Sequence, residues 1–337
     1  MRDNNSAIVA GSPALPTAAA RPVPDIPPSQ RAGSAGILFG FLGVLAFSFT
    51  LPLTRIAVTE LDAVFVGAGR AVVAAALAII VLAVTRQRRP HGRQWIRLVV
   101  VGGGVIAGFP LLTSAAMQTV PAAHGAVVIG LLPAATAVAA VIRARERPSR
   151  AFWFASAAGV AAVLGFVVVS GGGLISLHPA DLLLVAAVAC AAIGYAEGAL
   201  LSRELGSWQT ICWALVVALP VMLPLTLTSI GGGVPEASAA AWLSFGYLGF
   251  ISMFLGFFSW YRGLAIGPIS VVSQIQLVQP VFTLAWSALI VGEQLGLKVW
   301  VGAAVVLLCA FTAVRTRVRS TAPAAGSREE SASPPAV

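Results

Sequence analysis

At 337 residues the chain is long enough for one large or two modest domains, yet 58% of it is hydrophobic, only 10% is charged and the mean hydropathy is +0.92. That balance excludes a water-soluble domain and defines an integral membrane protein. The net charge of +9 would suit nucleic acid, but the placement of the basic residues argues for membrane topology instead, and three cysteines with three histidines at no ligand spacing point to no metal, no cofactor and no disulfide framework.

In chain order, residues 1–35 are rich in proline (Pro13, Pro16, Pro22, Pro24, Pro27, Pro28) and small polar residues, with no apolar core of signal-peptide length. They read as a disordered cytoplasmic tail. Ten apolar stretches of about the 20 residues that cross a bilayer as a helix follow. They run Gly36–Ala57, Ala63–Val84, Ile96–Met117, Ala122–Ile142, Phe152–Ser170, Asp181–Leu201, Gln209–Thr228, Ala239–Leu264, Ile269–Val291 and Val299–Val318. Residues 319–337 form a second low-complexity tail that lacks the apolar surface to offset its ordering entropy.

Within these spans a few residues carry chemistry. Arg70 lies seven residues into the second span, too deep for easy escape to the interface; it reads as facing a pathway or as held by carbonyls, Glu60 or Asp62. Gly104 and Gly108 in the third span, and Gly246 and Gly249 in the eighth, suit close helix packing. His124 opens the fourth span and can exchange a proton near neutral pH, although a capping role at the interface is the commoner one. Pro133 and Thr136 follow in the same span. Glu197, near the inner end of the sixth, is a candidate for proton coupling or for pairing with Arg262 or Arg203. Tyr195, Trp260 and Tyr261 fall near expected boundaries, where aromatic belts form. Cys190, Cys212 and Cys309 read as free buried thiols. In the ninth span Ser273, Gln276, Pro280, Thr283 and Ser287 recur in steps of three or four and share one helical face, which suits either a polar pathway or interhelical hydrogen bonding.

Pro121, Pro133, Thr136, Glu146 and Trp153 return 147 residues later as Pro268, Pro280, Thr283, Glu293 and Trp300. The chain is a duplication. Lys and Arg mark cytoplasmic loops, and Arg86 to Arg97, Arg143 to Arg150 and Arg315 to Arg319 follow the second, fourth and tenth spans, while Glu60, Asp62, Asp181, Glu236 and Glu293 occupy the other loops. Five spans per half is an odd number, so the two copies run in opposite directions. At about 1.5 Å per residue, Pro133 and Pro280 both reach roughly 16 Å into the bilayer from opposite sides. A proline there kinks the helix and needs protein or a water-filled cavity to satisfy the freed carbonyl. The fold class is therefore an all-α integral membrane protein of ten transmembrane helices in two inverted five-helix repeats. Inverted repeats around a midplane site are the architecture of a secondary carrier.

The two segments, Pro133 to Glu146-Arg147 and Pro280 to Glu293-Gln294, resemble the paired EamA-type repeats of the drug/metabolite transporter superfamily. Gly69-Arg70-Ala71, Ser259-Trp260-Tyr261-Arg262-Gly263 and Gly302 fit the same pattern; Ala155, where the second copy has Gly302, and Phe47-Ser48, where the family often has Trp-Gly, depart from it. The resemblance implies repeats over 36–170 and 181–318, an inner-membrane location with both termini cytoplasmic, and export of a metabolite, amino acid or drug. The central pathway would involve Arg70, Pro133, Thr136, Ser273, Gln276, Pro280 and Thr283, with Glu197 and His124 as proton-coupling candidates. The expected partners are a small-molecule substrate, membrane lipids and optionally a second copy in a homodimer, with no nucleic acid. A passive channel or a non-transporting sensor or scaffold are the alternatives.

Overall fold

The computed structural model describes residues 28–144, 149–171, 178–231, 233, 235–266 and 275–321. Among them all regular structure is helical. The helices are α1 (Pro28–Ser48, resumed at Thr50–Ala57), α2 (Ala63–Val84), α3 (Arg93–Met117), α4 (Ala122–Ile129, resumed at Leu132–Ala144) and α5 (Arg150–Gly171). The second half holds α6 (Pro179–Leu205), α7 (Ser207–Ser229), α8 (Ala239–Ile266), α9 (Gln279–Leu289) and α10 (Leu297–Thr321). Seven of these, α1 to α4 and α6 to α8, are long and apolar enough to cross a membrane. Large apolar side chains such as Val84, Leu182, Leu227 and Leu243 point outward, as a lipid-facing surface requires. The expected start of the ninth span and most of both tails lie outside the described residues.

Helix starts follow local chemistry. Asp62 caps α2 by accepting from Val64 N (2.8 Å) and Phe65 N (3.0 Å). His178 and Asp181 form a capping box around Pro179 at the start of α6, and Ser238 caps α8 through Ala241 N. Several helices outrun the apolar stretches that announce them. α6 continues through Ser202, Arg203 and Glu204, because a polar last turn ends the hydropathy signal before it ends the backbone hydrogen bonding. α1 begins at Pro28, inside the segment expected to be a tail, and Pro at the first helical position sacrifices no hydrogen bond there.

Proline also explains the break in α1 at Phe49. Pro52 has no N–H to offer the carbonyl of Ser48. Thr283 Oγ1 of α9 donates to that carbonyl instead, at 2.9 Å. Trp286 Nε1 donates to Ser48 Oγ at 3.0 Å, and Phe49 stacks on the Trp286 ring at 4.5 Å.

The packing has two-fold character. α2 packs on α7, α4 on α9 and α5 on α10, each helix against its own equivalent five helices on; α1 packs on α8 as α6 packs on α3. Both crossings of the second kind depend on glycine. A Cβ on Gly263 would lie 2.6 Å from the backbone of Gly40, and one on Gly104 would lie 2.5 Å from the carbonyl oxygen of Cys190. The third helix of each half carries a π-helical segment at the matching place, Gly102–Gly108 in α3 and Leu248–Leu255 in α8. Adding 147 to the first range gives 249–255, so the duplication persists in backbone irregularities that no side-chain pattern announces.

Candidate functional site

At the centre, α4 and α9 meet around a small void lined by Ala126, Ile129, Leu132, Pro133, Gln276, Gln279, Pro280 and Thr283, with Leu51 of α1. Three of these pairs are repeat equivalents: Ile129 with Gln276, Leu132 with Gln279 and Pro133 with Pro280. The void therefore sits between the two copies. Each proline coincides with an interruption, Gly130–Leu131 in α4 and the 3₁₀ turn Gln276–Val278 entering α9. The apolar side of the void comes from the first half and the amide side from the second.

A second void adjoins it, sharing Leu132 and Gln279, and is lined also by Phe47, Thr50, Arg70, Tyr195, Ser252 and Phe257. The space open to the centre of a water molecule is about 10 Å³ in the first void and about 20 Å³ in the second, room for roughly one water each. This conformation is closed around its centre.

Polar side chains at these voids are under-partnered. Arg70 is 1% exposed; its Nη2 reaches Thr113 Oγ1 at 3.4 Å and its Nε has no partner among the described residues. Gln276 Nε2 and Gln279 Oε1 are likewise buried without partners. An unmet buried polar group costs about 1–3 kcal/mol, and three around one centre mark a place that another molecule's polar groups complete. Thr50 Oγ1 and Ser252 Oγ, by contrast, bond each other at 2.8 Å.

The expected site residues divide accordingly. Arg70, Pro133, Gln276, Pro280 and Thr283 line the two voids. Thr283 spends its hydroxyl on Ser48 O and on Gln279 O, and Ser287 bonds Thr283 O, so that part of the stripe serves helix packing. Thr136 lines neither void; its hydroxyl is buried and unpartnered among the described residues. Ser273 lies outside the described residues. Neither Glu60 nor Asp62 holds Arg70, since Glu60 accepts from Ser238 and Asp62 caps its own helix. Tyr195, Trp260 and Tyr261, expected in aromatic belts, are interior instead. Tyr195 lines the Arg70 void and stands 6.0 Å from Trp260 between ring centroids. Their rings pack inward on Phe47 and Phe257 and on one another, so a place near a span end does not bring them to the lipid surface. Gln279 and Ser252 carry no signal of their own in the sequence; the equivalence of Gln279 to Leu132 is what could have found Gln279.

The remaining charges lie at the two ends. At one, Glu293 follows α9 after a turn at Gly292 (φ +75°) and accepts from Ala122 N and Ala123 N, both at 2.7 Å. Pro121 gives α4 no cap of its own, so the second copy caps the first, and this contact makes α4 and α9 antiparallel. One residue on, His124 Nε2 and Asp181 Oδ1 are 2.7 Å apart. At the other end Glu197 is held by Arg97 of α3 and by Arg143 of α4 at 2.7 Å, and Arg97 also grips Glu204. Its partners are thus Arg97 and Arg143, not the expected Arg262 or Arg203, because α3 and α4 both cross α6 there. A larger space, about 540 Å³ by the same measure, lies between α4, α5 and α6 with Arg143 and Glu197 at its margin. Its walls are otherwise almost wholly aliphatic, which suits lipid chains better than a polar solute.

A duplicated, all-helical bundle with seven helices long and apolar enough to cross a membrane, and a polar centre, defines a multi-pass membrane protein. The EamA-like transporter family model matches residues 34–168 and again 178–315. The chain belongs to the EamA-like transporter family. It is 46% identical over 280 residues to the uncharacterized transporter YdeK of Bacillus subtilis, covering 83% of this chain and 97% of that one. It is 27% identical over 245 residues to a probable terminal-alkyne amino-acid exporter of Streptantibioticus cattleyicolor, covering 71% of this chain and 80% of the other. A solved crystal structure at 18% identity, covering 86% of this chain and 100% of that one with a TM-score of 0.58, shares the fold.

Proposed function

We propose that this transporter is a secondary carrier that exports a small metabolite, amino acid or drug-like compound by alternating access through the centre between its two repeats. On this reading the chain has ten membrane-spanning helices in two inverted sets of five. It resides in the cell (inner) membrane with both termini in the cytoplasm, so the Arg97–Glu197–Arg143 end is the inner one. The observation that carries the reading is the meeting of Pro133 and Pro280 at one buried void flanked by Gln276 Nε2 and Gln279 Oε1, which have no partner among the described residues. The amino-acid exporter among the relatives supports the direction.

Each end then acts as a gate. Glu293 and the His124–Asp181 pair tie α4 to the second half outside, and Glu197 ties α3 and α4 to α6 inside. A carrier must open one set while the other holds. Of the two proton-coupling candidates, His124 meets Asp181 through one hydrogen bond, whereas two guanidinium groups hold Glu197. The closed centre, with voids of about 10 and 20 Å³, speaks against a permanently open channel.

The test compares metabolites in the medium of cells with the transporter, without it, and with Gln276→Ala. A compound enriched outside only when the wild-type chain is present is expected, and its efflux should fall roughly five- to tenfold in the variant, the worth of one hydrogen bond. Identical media with and without the transporter would overturn the reading.

A further inference from the structure

Arg70 is a buried cation with no acid to balance it among the described residues. The chain has twelve acidic residues. Among the described ones Glu60, Asp62, Asp181, Glu197, Glu204 and Glu293 are all bonded elsewhere, and Glu236 is exposed. The guanidinium has five N–H donors in a planar fork, and its one side-chain acceptor among the described residues is Thr113 Oγ1, at 3.4 Å. Its repeat equivalent is Val217, so the two-fold scaffold does not require a cation there. A structural arginine inside a membrane protein is normally paired or wrapped by acceptors. This one lines a void with its Nε free of any partner among the described residues.

The missing partner has a definable chemistry. One cation buried in an apolar setting is balanced by one negative charge, and a guanidinium matches a carboxylate through two parallel hydrogen bonds. A phosphate monoester brings close to two charges and leaves one uncompensated. An amine adds a second cation. Beyond the guanidinium the walls are mainly apolar, with Phe47, Phe109, Met253 and Phe257 beside Tyr195 and the mutually bonded Thr50 and Ser252, and Gln279 Oε1 is an acceptor without a partner among the described residues. We propose that Arg70 anchors the carboxylate of the transported compound, which is a small monocarboxylate with an apolar or aromatic body. The proposal rests on the transport reading and narrows its substrate class.

Three aromatic probes of similar size separate the chemistries: phenylacetate, phenyl phosphate and 2-phenylethylamine. Each is added to the purified full-length protein in lipid nanodiscs while thermal unfolding is followed. Phenylacetate should raise the unfolding temperature saturably by several degrees; phenyl phosphate should act weakly and phenylethylamine not at all. In Arg70→Met the phenylacetate response should vanish, and without any probe this variant should unfold at the same temperature as wild type or higher, because an uncompensated cation has gone. Arg70→Lys keeps the charge without the fork and should retain a weakened response. A purely structural Arg70 gives the opposite pattern, an Arg70→Met that unfolds early or fails to fold. That result overturns the proposal, as does a response to phenylethylamine or phenyl phosphate exceeding that to phenylacetate, or no response to any probe. Export that persists in Arg70→Met but disappears without the protein would sink the proposal and leave the transport reading intact.

Discussion

Arg70 and Glu60 show how differently a charge behaves at the centre of this bundle and at its rim. A lone arginine in an apolar run announces a site in the sequence, yet which acids fail to reach it emerges only once the carboxylates of the described residues have been placed. Glu60 is the reverse: unremarkable in sequence, it bridges the loop after α1 to the start of α8, accepting from Ser238 N at 2.6 Å and from Ser238 Oγ at 2.7 Å. Those two donors, the backbone N–H first, favour the ionised carboxylate and hold it below the ordinary carboxylate range. The tie is therefore present above the ordinary carboxylate value and is lost as pH falls through the lowered one. Proteolysis of the exposed loop before Ser238 should rise only on acidification below about pH 4, and Glu60→Gln should show the raised cleavage already at neutral pH. Equal cleavage of wild type and variant at pH 7 would contradict that role. The aromatic trio Tyr195, Trp260 and Tyr261 shows the same limit, since position along a span does not say which way a ring points, and these pack inward on Phe47 and Phe257.

Helices were the most legible elements, because twenty apolar residues have few other fates. α2 begins and ends where the hydropathy changes, at Ala63 and Val84. Less legible was how they meet. Small-residue spacing suggested tight packing at Gly104 with Gly108 and at Gly246 with Gly249. The first pair is tightly enclosed, whereas a Cβ on Gly246 would meet nothing within 4 Å. The closest approach of α1 and α8 is at Gly263 instead, where a Cβ would lie 2.6 Å from Gly40 N and 2.9 Å from Gly36 O. Both neighbours are backbone, so the helices themselves must separate. Gly263→Ala should therefore destabilise the bundle by about 1–3 kcal/mol, read as a lowered unfolding temperature, and Gly246→Ala should leave it unchanged. Equal melting of the two variants would mean that α1 and α8 are not locked at this crossing. The π segments in α3 and α8 had no legible signal, since a π turn is a change of hydrogen-bond register and not of residue pattern.

Across the whole molecule, the 147-residue repeat joins sequence and structure most directly. Its prolines were readable as midplane kinks, and they do share one void. Its glutamate was readable only as a loop charge. In the structure Glu293 supplies the cap that Pro121 withholds from α4. That cross-copy contact gives the second copy's carboxylate a structural role, while its equivalent Glu146 lies outside the described residues. The copies share the scaffold residues and differ where Leu132 and Ile129 become Gln279 and Gln276, so one fold used twice gives a centre polar on one side.

The central claim is that the two copies cross the membrane in opposite senses, so that one void between them can face either side in turn. The most direct test fuses a reporter after Arg147 in one protein and after Gln294 in another, then determines on which side of the membrane each lies. The account predicts Arg147 in the cytoplasm and Gln294 outside. Both reporters on the same side would contradict it.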